Sequence, residues 1–312
     1  MAKRPEVYML RATLVSLFCN IILVSIKTTA LILVNSLAIA VDLGISFVGL
    51  TVSVILYYSI KLANRPADLI HNYGYGKVEN VCETMEGVVL IGIALAMSFQ
   101  AALSVFHPKD ITMPLVGLVS CLVNSCLNFG GASYIFLMAR KSGSPAIHAE
   151  GIHYRLEGVI SVVIAVSFVI SMLLRANGLT GPAIYIDPFA ALLVSVIIII
   201  PSFALAKRSF FKLLDASVEE DSQIEILKQL SNHINDYCEF KELKTRTAGR
   251  KKFVEFSLIV PENITFRRGH EIRNTLERDI KAGIPNCEVV IKMEPCSEDC
   301  EYVRKRRKCP YM

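Results

Sequence analysis

The chain has 312 residues, of which 53% are hydrophobic and 20% are charged, and its mean hydropathy is +0.47. This composition is too apolar for a soluble globular protein of the same length. The net charge is +5, but only the last residues resemble a basic, aromatic-rich soluble surface. We therefore expect no nucleic-acid partner. The sequence shows no nucleophile–base arrangement, phosphate-binding loop or catalytic metal motif, so we expect no enzymatic activity.

Long apolar runs predict six transmembrane helices. Residues 88–105, 160–174 and 189–205 contain no charged side chain, and a helix needs about 20 apolar residues to cross the hydrocarbon core. Because lipid offers the backbone no hydrogen-bond partners, such runs are expected to be helical. The predicted helices cover residues 8–31, 35–60, 79–106, 112–139, 146–175 and 187–206.

Lys and Arg are concentrated in alternate connections between these helices. One side of the membrane has only Lys109 and Arg175. The other side has Lys3, Arg4, Lys61, Arg65, Lys77, Arg140, Lys141, Lys207, Arg208 and Lys212. Positively charged short connections face the cytoplasm. We therefore expect a multi-pass protein of the cell membrane, embedded in the lipid bilayer, with both termini in the cytoplasm.

A change of composition after Asp215 indicates a separate domain. The patterns predict helices at 219–236 and 268–282 and strands at 239–246, 253–260 and 287–292. This α-β-β-α-β order suits a small sheet covered by helices on one face. We divide the chain into a six-helix transmembrane domain (1–212), an α+β domain (213–296) and a tail rich in cysteine and basic residues (297–312).

Few ionisable side chains fall inside the apolar helices, and such groups usually face a cavity or a partner. Asp42 lies in the second helix, and His153 and Glu157 lie four residues apart on one face of the fifth. Together they predict a three-ligand site for a divalent ion, and mixed nitrogen and oxygen ligands favour Zn, Mn, Fe or Co. In the alternative interpretation, His153 and Glu157 form a structural pair and Asp42 lines a water-filled crevice.

Three further charged residues are expected to have structural roles. Lys27, in the first helix, is interpreted as a snorkelling or interhelical partner. Glu83 and Glu86, near the start of the third helix, are expected at the membrane interface.

An ordered set of short motifs resembles the cation diffusion facilitator family of metal-ion/proton antiporters, over about residues 8–296. The motifs are Asn35-Ser36, Val41-Asp42, Pro66-Ala67-Asp68, His71, Tyr73-Gly74, Gly76-Lys77-Val78-Glu79, His153-Tyr154, Asp187-Pro188, Leu213-Leu214-Asp215 and Glu294-Pro295-Cys296. The resemblance implies a homodimer of six-helix protomers, each with a ferredoxin-like cytoplasmic domain.

The resemblance also implies a transport site built from two residue pairs, each with a spacing of four. The matching positions are Ala38 and Asp42 in the second helix and His153 and Glu157 in the fifth. Since the family usually has Asp or His at the position matched to Ala38, three protein ligands are expected here. The fourth position is then taken by water, by a neighbouring polar group such as Asn35 or Ser46, or by nothing.

Two further features of the family are matched in part. Asp68 and His71 match a second metal site in the loop after the second helix, but Tyr75 replaces its usual His, so the site is expected to be impaired or to be an ordinary solvated loop. Lys77 and Asp215 match an ion pair between the loop and the soluble domain.

The family's metal sites in the soluble domain are expected to be lost, because the matching positions are Lys241, Ser257, His270, Lys292 and Glu294. The cysteines Cys287, Cys296, Cys300 and Cys309 could bind a soft metal or be reduced thiols, and their spacing fits no standard zinc ribbon.

The expected function is therefore transport of a divalent metal cation out of the cytoplasm by proton antiport. Zinc is the first candidate, with Mn, Fe, Co and Cd open, and the metal is substrate, with no tightly bound cofactor. The losses at Ala38 and Tyr75 also permit a second hypothesis, a regulatory or metal-sensing membrane subunit that transports nothing.

Overall fold

The computed structural model describes residues 5–63, 65, 67–106, 111–142, 145–262 and 264–296. The chain forms two compact units, one ending at Phe210 and the other beginning at Phe211. Each unit has its own hydrophobic core.

The first unit is built from long apolar helices. Within the described residues they are α1 (Pro5–Val34), α2 (Leu37–Ala63), α3 (Lys77–Phe106), α4 (Pro114–Ser142), α5 (Pro145–Ala176), the short α6 (Thr180–Ala183) and α7 (Ile186–Leu213). They provide six segments that are long and apolar enough to cross a membrane, the last of which runs through α6 and α7, and this confirms the predicted six spans. Helix α7 continues past the predicted end at residue 206, because the basic residues there end the apolar segment and not the helix.

The turn between α1 and α2 is tight and tied to α7. Asn35 adopts a φ of +52°, in the left-handed region that Asn tolerates better than most residues. The carboxylate of Asp187, in the first turn of α7, accepts hydrogen bonds from Ser36 Oγ and from the backbone N–H groups of Leu37 (2.6 Å) and Ala38 (3.4 Å). A carboxylate at this position satisfies free N–H groups at the start of α2 and complements the helix dipole.

Small residues allow close packing of α4 against α5. A Cβ atom at Gly117 would lie 2.6 Å from the ring of Phe168, and one at Gly131 would lie 3.0 Å from Tyr154. Both aromatic side chains are almost fully buried. Without a hydrophobic effect between helices in lipid, such backbone-to-ring packing is a main source of helix association.

The second unit contains α8 (Glu220–Asn232), β1 (Glu239–Ala248), β2 (Lys251–Val260), α9 (Phe266–Gly283) and β3 (Cys287–Pro295). Strand β2 lies in the centre of the sheet, antiparallel to β1 and parallel to β3. Ile226 of α8, Leu258 of β2 and Leu276 of α9 are fully buried in one core. The predicted α-β-β-α-β order is confirmed.

We expect Gly117→Ala to lower the free energy of unfolding by about 1–3 kcal/mol, because the added methyl group overlaps the Phe168 ring. Gly130→Ala, on the same helix, is the matched control, since a Cβ there meets no atom within 4 Å. Thermal unfolding of the purified protein in detergent measures both. Equal stability of the two variants would contradict the packing described for α4 and α5.

Candidate functional site

A buried lysine joins three helices of the first unit. Lys27 of α1 is 1% exposed, and its Nζ lies 2.9 Å from Asp42 Oδ1 of α2 and 3.1 Å from Glu157 Oε2 of α5. It also donates to Ser46 Oγ at 2.6 Å, and Ser46 donates to Glu157 Oε2 at 3.0 Å. Lys27 is therefore an interhelical partner that neutralises charge inside the apolar unit.

His153 lies between two carboxylates. Its Nε2 is 3.2 Å from Glu157 Oε1, one turn further along α5, and its Nδ1 is 3.5 Å from Glu86 Oε1 of α3. The three side chains are at most 12% exposed. His153 Nε2 and Glu157 Oε1 are buried but have no aligned hydrogen bond, so both atoms have an unused capacity to bind a ligand.

These three side chains line a cavity of about 330 Å³ between α2, α3, α5 and α7. Most of its wall is apolar, with Ile45, Leu90, Ile160 and Ile198 among the lining residues. An apolar cavity with a few converging polar groups is the usual form of a small-ligand site.

The residue of α2 that faces His153 and Glu157 is Gly49. A Cβ atom there would lie 2.8 Å from His153 Nε2 and 3.5 Å from Glu157 Oε1. Ile45, one turn earlier, lines the same cavity. Neither side chain can bind a metal, so this face of α2 offers no ligand opposite the pair on α5.

The sequence match of Ala38 and Asp42 to this location is corrected by the structure. Ala38 lies in the first turn of α2, where its N–H points to Asp187. Positions 38, 42, 45 and 49 share one helix face, so the match was displaced by seven residues, about 10.5 Å along the axis. Periodicity identifies a helix face but does not fix the depth along it.

The predicted ligands Asp42, His153 and Glu157 are close to one another but do not form a metal-ligand group. No three His, Cys, Asp or Glu side chains converge for metal binding in the part of the chain that the structure describes. The reason is that the ammonium of Lys27 lies between Asp42 and Glu157.

Glu86 was expected at the interface but lies beside His153, buried in the cavity wall. The neighbouring Gly87 explains this, because a Cβ there would lie 2.8 Å from Ala206 of α7. This close approach presses the first half of α3 against α7. The sequence feature that could have indicated this burial is a glutamate followed by Gly and a long uncharged run.

The loop residues Asp68 and His71 lie close together. Asp68 Oδ1 lies 3.5 Å from His71 Nδ1 and accepts hydrogen bonds from the backbone N–H groups of Ile70 and His71. Tyr75 Oη donates to Asp68 Oδ2 at 2.6 Å. This hydroxyl, with the two N–H groups, lowers the pKa of Asp68 to about 2. The carboxylate is therefore held by the loop itself.

Lys77 and Asp215 belong to different units. Lys77 is the first residue of α3. Asp215 has a φ of +58°, and its Oδ1 lies 3.6 Å from Arg246 Nη1 within the second unit. The ion pair between Lys77 and Asp215 stays a prediction.

The described cysteines of the second unit do not form a metal centre with other ligands. Burial raises the pKa of the Cys287 thiol to about 11, which makes it a poor metal ligand near neutral pH. Cys300 and Cys309, with the rest of the tail at 297–312, lie outside the described residues, as does Pro66 of the loop motif.

Three of the positions matched to the family's metal sites in the soluble domain make ordinary contacts. Ser257 donates to Glu294 at 2.9 Å, and His270 contacts Asn274 at 2.9 Å.

Six spans, a largely apolar cavity with a few polar groups and a small α+β unit are typical of a multi-pass membrane protein that handles a small polar or ionic substrate. Residues 13–214 match the cation efflux transmembrane domain, and residues 219–296 match the cytoplasmic domain of cation efflux proteins. The chain therefore belongs to the cation efflux family, of the cation diffusion facilitator type.

Known relatives resemble the chain over nearly its whole length. Protein p34 of Rickettsia rickettsii (strain Sheila Smith) is 24% identical over 95% of this chain and 94% of its own. The cation-efflux pump FieF of Shewanella oneidensis is 26% identical over 88% of this chain and 89% of its own. FieF of Cronobacter sakazakii is 24% identical over 92% and 93%.

We expect Lys27→Met to lower the free energy of unfolding by about 3–5 kcal/mol, because it leaves two buried carboxylates without their cation. Adding Asp42→Asn should recover part of that loss. Unfolding in detergent micelles measures the effect. Lys228→Met, which removes an exposed Lys, is the control and should change little. A Lys27→Met variant as stable as this control would show that the buried ion pairs do not form.

We expect Tyr75→Phe to raise the pKa of Asp68 from about 2 towards the ordinary value of about 3.9, because the charged carboxylate loses its strongest hydrogen bond. NMR titration of Asp68 in the full-length protein measures the change. Tyr73→Phe is the control. An unchanged Asp68 pKa in Tyr75→Phe would mean that the hydroxyl does not hold the carboxylate.

Proposed function

We propose that this chain carries a divalent transition-metal ion out of the cytoplasm, and that His153 and Glu157 bind the ion in the membrane cavity. The observation that carries this proposal is the pair of buried atoms His153 Nε2 and Glu157 Oε1, which lie 3.2 Å apart without an aligned hydrogen bond. Gly49 leaves the space beside them free of a side chain.

The charge of the cluster supports a cationic substrate. It contains one ammonium group, from Lys27, and three carboxylates, from Asp42, Glu86 and Glu157. With these groups ionised and His153 neutral, their formal charge is −2, and the charge stays negative when Arg208 at the cavity wall is counted as well. Asp42 thus contributes by neutralising Lys27, while Glu86 and Glu157 face the imidazole.

The donor types support zinc first, with Mn, Fe, Co and Cd as further candidates. One imidazole nitrogen and carboxylate oxygens suit borderline metals better than Ca or Mg. Because α2 supplies no ligand opposite the pair, water completes the coordination in this proposal. The ligands must lose protons to bind metal, so protons and metal compete, and this competition supports proton antiport.

The remaining family features enter as parts of the same proposal. The match of 219–296 to the cytoplasmic domain of cation efflux proteins supports a homodimer with both termini in the cytoplasm. Asp68 and His71 are proposed as an accessory metal site that is weak, because Asp68 already accepts three hydrogen bonds within the loop. The pair of Lys77 and Asp215 is proposed to link the loop to the domain.

A regulatory subunit that moves no metal is the second candidate. It is favoured by Gly49 and Ile45, which leave α2 without a ligand at the cavity. The two proposals differ in a direct way, because only the first requires metal flux through the purified protein.

Metal flux in proteoliposomes tests the proposed function. With zinc outside and a fluorescent indicator inside, we expect His153→Ala and Glu157→Gln to reduce the initial rate by at least about tenfold, since loss of a metal ligand should cost at least as much as loss of a ligand's supporting partner. His270→Ala, which removes an exposed imidazole of α9, is the control and should transport normally.

Each other outcome is informative. Absence of flux with the unmodified protein for Zn, Mn, Fe, Co and Cd would support the regulatory subunit. Normal flux in both His153→Ala and Glu157→Gln would show that the ion follows another route.

A further inference from the structure

The cavity lined by His153 and Glu157 is much larger than a metal ion requires. Its volume is about 330 Å³, which lies within the range of binding sites for small organic molecules. A metal ion with two water ligands needs only about 90 Å³, if each of the three occupants takes about 30 Å³. Most of the cavity therefore has no role in the metal binding proposed above.

Apolar side chains form the part of the wall that lies away from the two metal ligands. Helix α5 contributes Ile152 and Leu156, which are one turn apart on the same face. Ile152 is 44% exposed, so this side of the cavity opens at the surface of the membrane unit. Helix α7 contributes Ile197, Pro201, Ala204 and Leu205. An occupant of this side would be in contact with hydrocarbon.

The other side of the cavity presents two buried acceptors. Glu157 Oε1 and His153 Nε2 lie 3.2 Å apart, and neither has an aligned hydrogen bond. His153 Nδ1 lies 3.5 Å from Glu86 Oε1. A carboxylate at that position favours the tautomer with its proton on Nδ1, which leaves Nε2 as an acceptor. Two acceptors without donors thus stand together beside Gly49.

The charge of the cavity favours a cationic occupant. Glu86 and Glu157 both line it, and Glu157 is 2% exposed. Arg208 also lines it, but Arg208 is exposed, so water screens its charge more than that of the buried carboxylate. An uncharged apolar occupant would leave Glu157 Oε1 unpaired, which is costly for a buried acceptor.

We propose that this cavity binds a hydrophobic ammonium ion, which is a protonated amine with a compact hydrocarbon body. An ammonium group has N–H donors and no acceptor, so it matches Glu157 Oε1 and His153 Nε2. The hydrocarbon body fills the apolar side between α5 and α7. A single ligand of this class uses both the charged and the apolar part of the cavity.

This binding does not require that the chain transports metal. The ammonium group and a metal ion would use the same two acceptors, so they would exclude each other. An amine of this class is therefore expected to inhibit metal flux, and only that consequence rests on the proposed function.

Thermal unfolding of the full-length protein in detergent, with a chelator present, tests the binding. At constant ionic strength and pH 7, cyclohexylammonium is protonated, as a lysine side chain is. It should raise the melting temperature in a saturable manner, by about 3 °C at ten times its dissociation constant. Cyclohexanol, which lacks the charge, and methylammonium, which lacks the apolar body, should each give less than one third of this shift.

Two variants locate the ligand in the cavity. Glu157→Gln removes the buried charge and should abolish the cyclohexylammonium shift, whereas Glu271→Gln, which changes an exposed carboxylate of α9, should retain it. Ala204→Phe covers the case in which Glu157→Gln fails to fold. It fills the apolar side from an exposed position and should reduce the shift at least threefold. Leu193→Phe, at an exposed position of α7 outside the cavity, is its control and should bind normally.

The same assay with zinc and without chelator separates this proposal from the proposed function. Stabilisation by zinc without any shift from cyclohexylammonium would overturn the ammonium site alone. Stabilisation by cyclohexylammonium without any effect of zinc would support the ammonium site and contradict the metal site. An equal shift with cyclohexanol, or a cyclohexylammonium shift that persists unchanged in both Glu157→Gln and Ala204→Phe, would also overturn the ammonium site.

Discussion

The interaction on which the membrane unit depends is the contact of the Lys27 ammonium with the carboxylates of Asp42 and Glu157. It brings α1, α2 and α5 together at one buried point, where separate charges would each be very costly. It also gives the two carboxylate oxygens of Glu157 different surroundings. Oε2 is occupied by Lys27 and Ser46, whereas Oε1 is left facing His153 and the cavity. The orientation of the proposed metal ligand thus follows from a lysine on another helix.

Helix α5 carries both buried polar groups and the groups that pack against α4. Glu150, His153 and Glu157 face α1, α2 and α3, while Phe168 and Gly158 pack against α4. The close packing of α5 against α4 thus leaves these polar side chains of α5 in contact with the three other helices.

Much of the fold could be predicted from the sequence, because hydropathy and strand alternation report directly on burial. The six spans, the α-β-β-α-β order and the shared face of His153 and Glu157 follow from such patterns. The position along α2 that faces the cavity could not be predicted, because residues 38, 42, 45 and 49 lie on one helix face and give the same periodic pattern. The position of Lys27 was also beyond the sequence, since a lysine in an apolar helix can snorkel or pair, and only packing decides.

The measurement that tests the central claim most directly is a structure of the metal-loaded protein with the anomalous signal of zinc. We predict one peak in the cavity, bonded to His153 Nε2 and Glu157 Oε1 and completed by water, with Lys27 still in contact with Asp42. A peak bonded to Asp42, with Lys27 displaced from both carboxylates, would contradict it. In that case the lysine would be a gate that the metal opens and not a fixed part of the site.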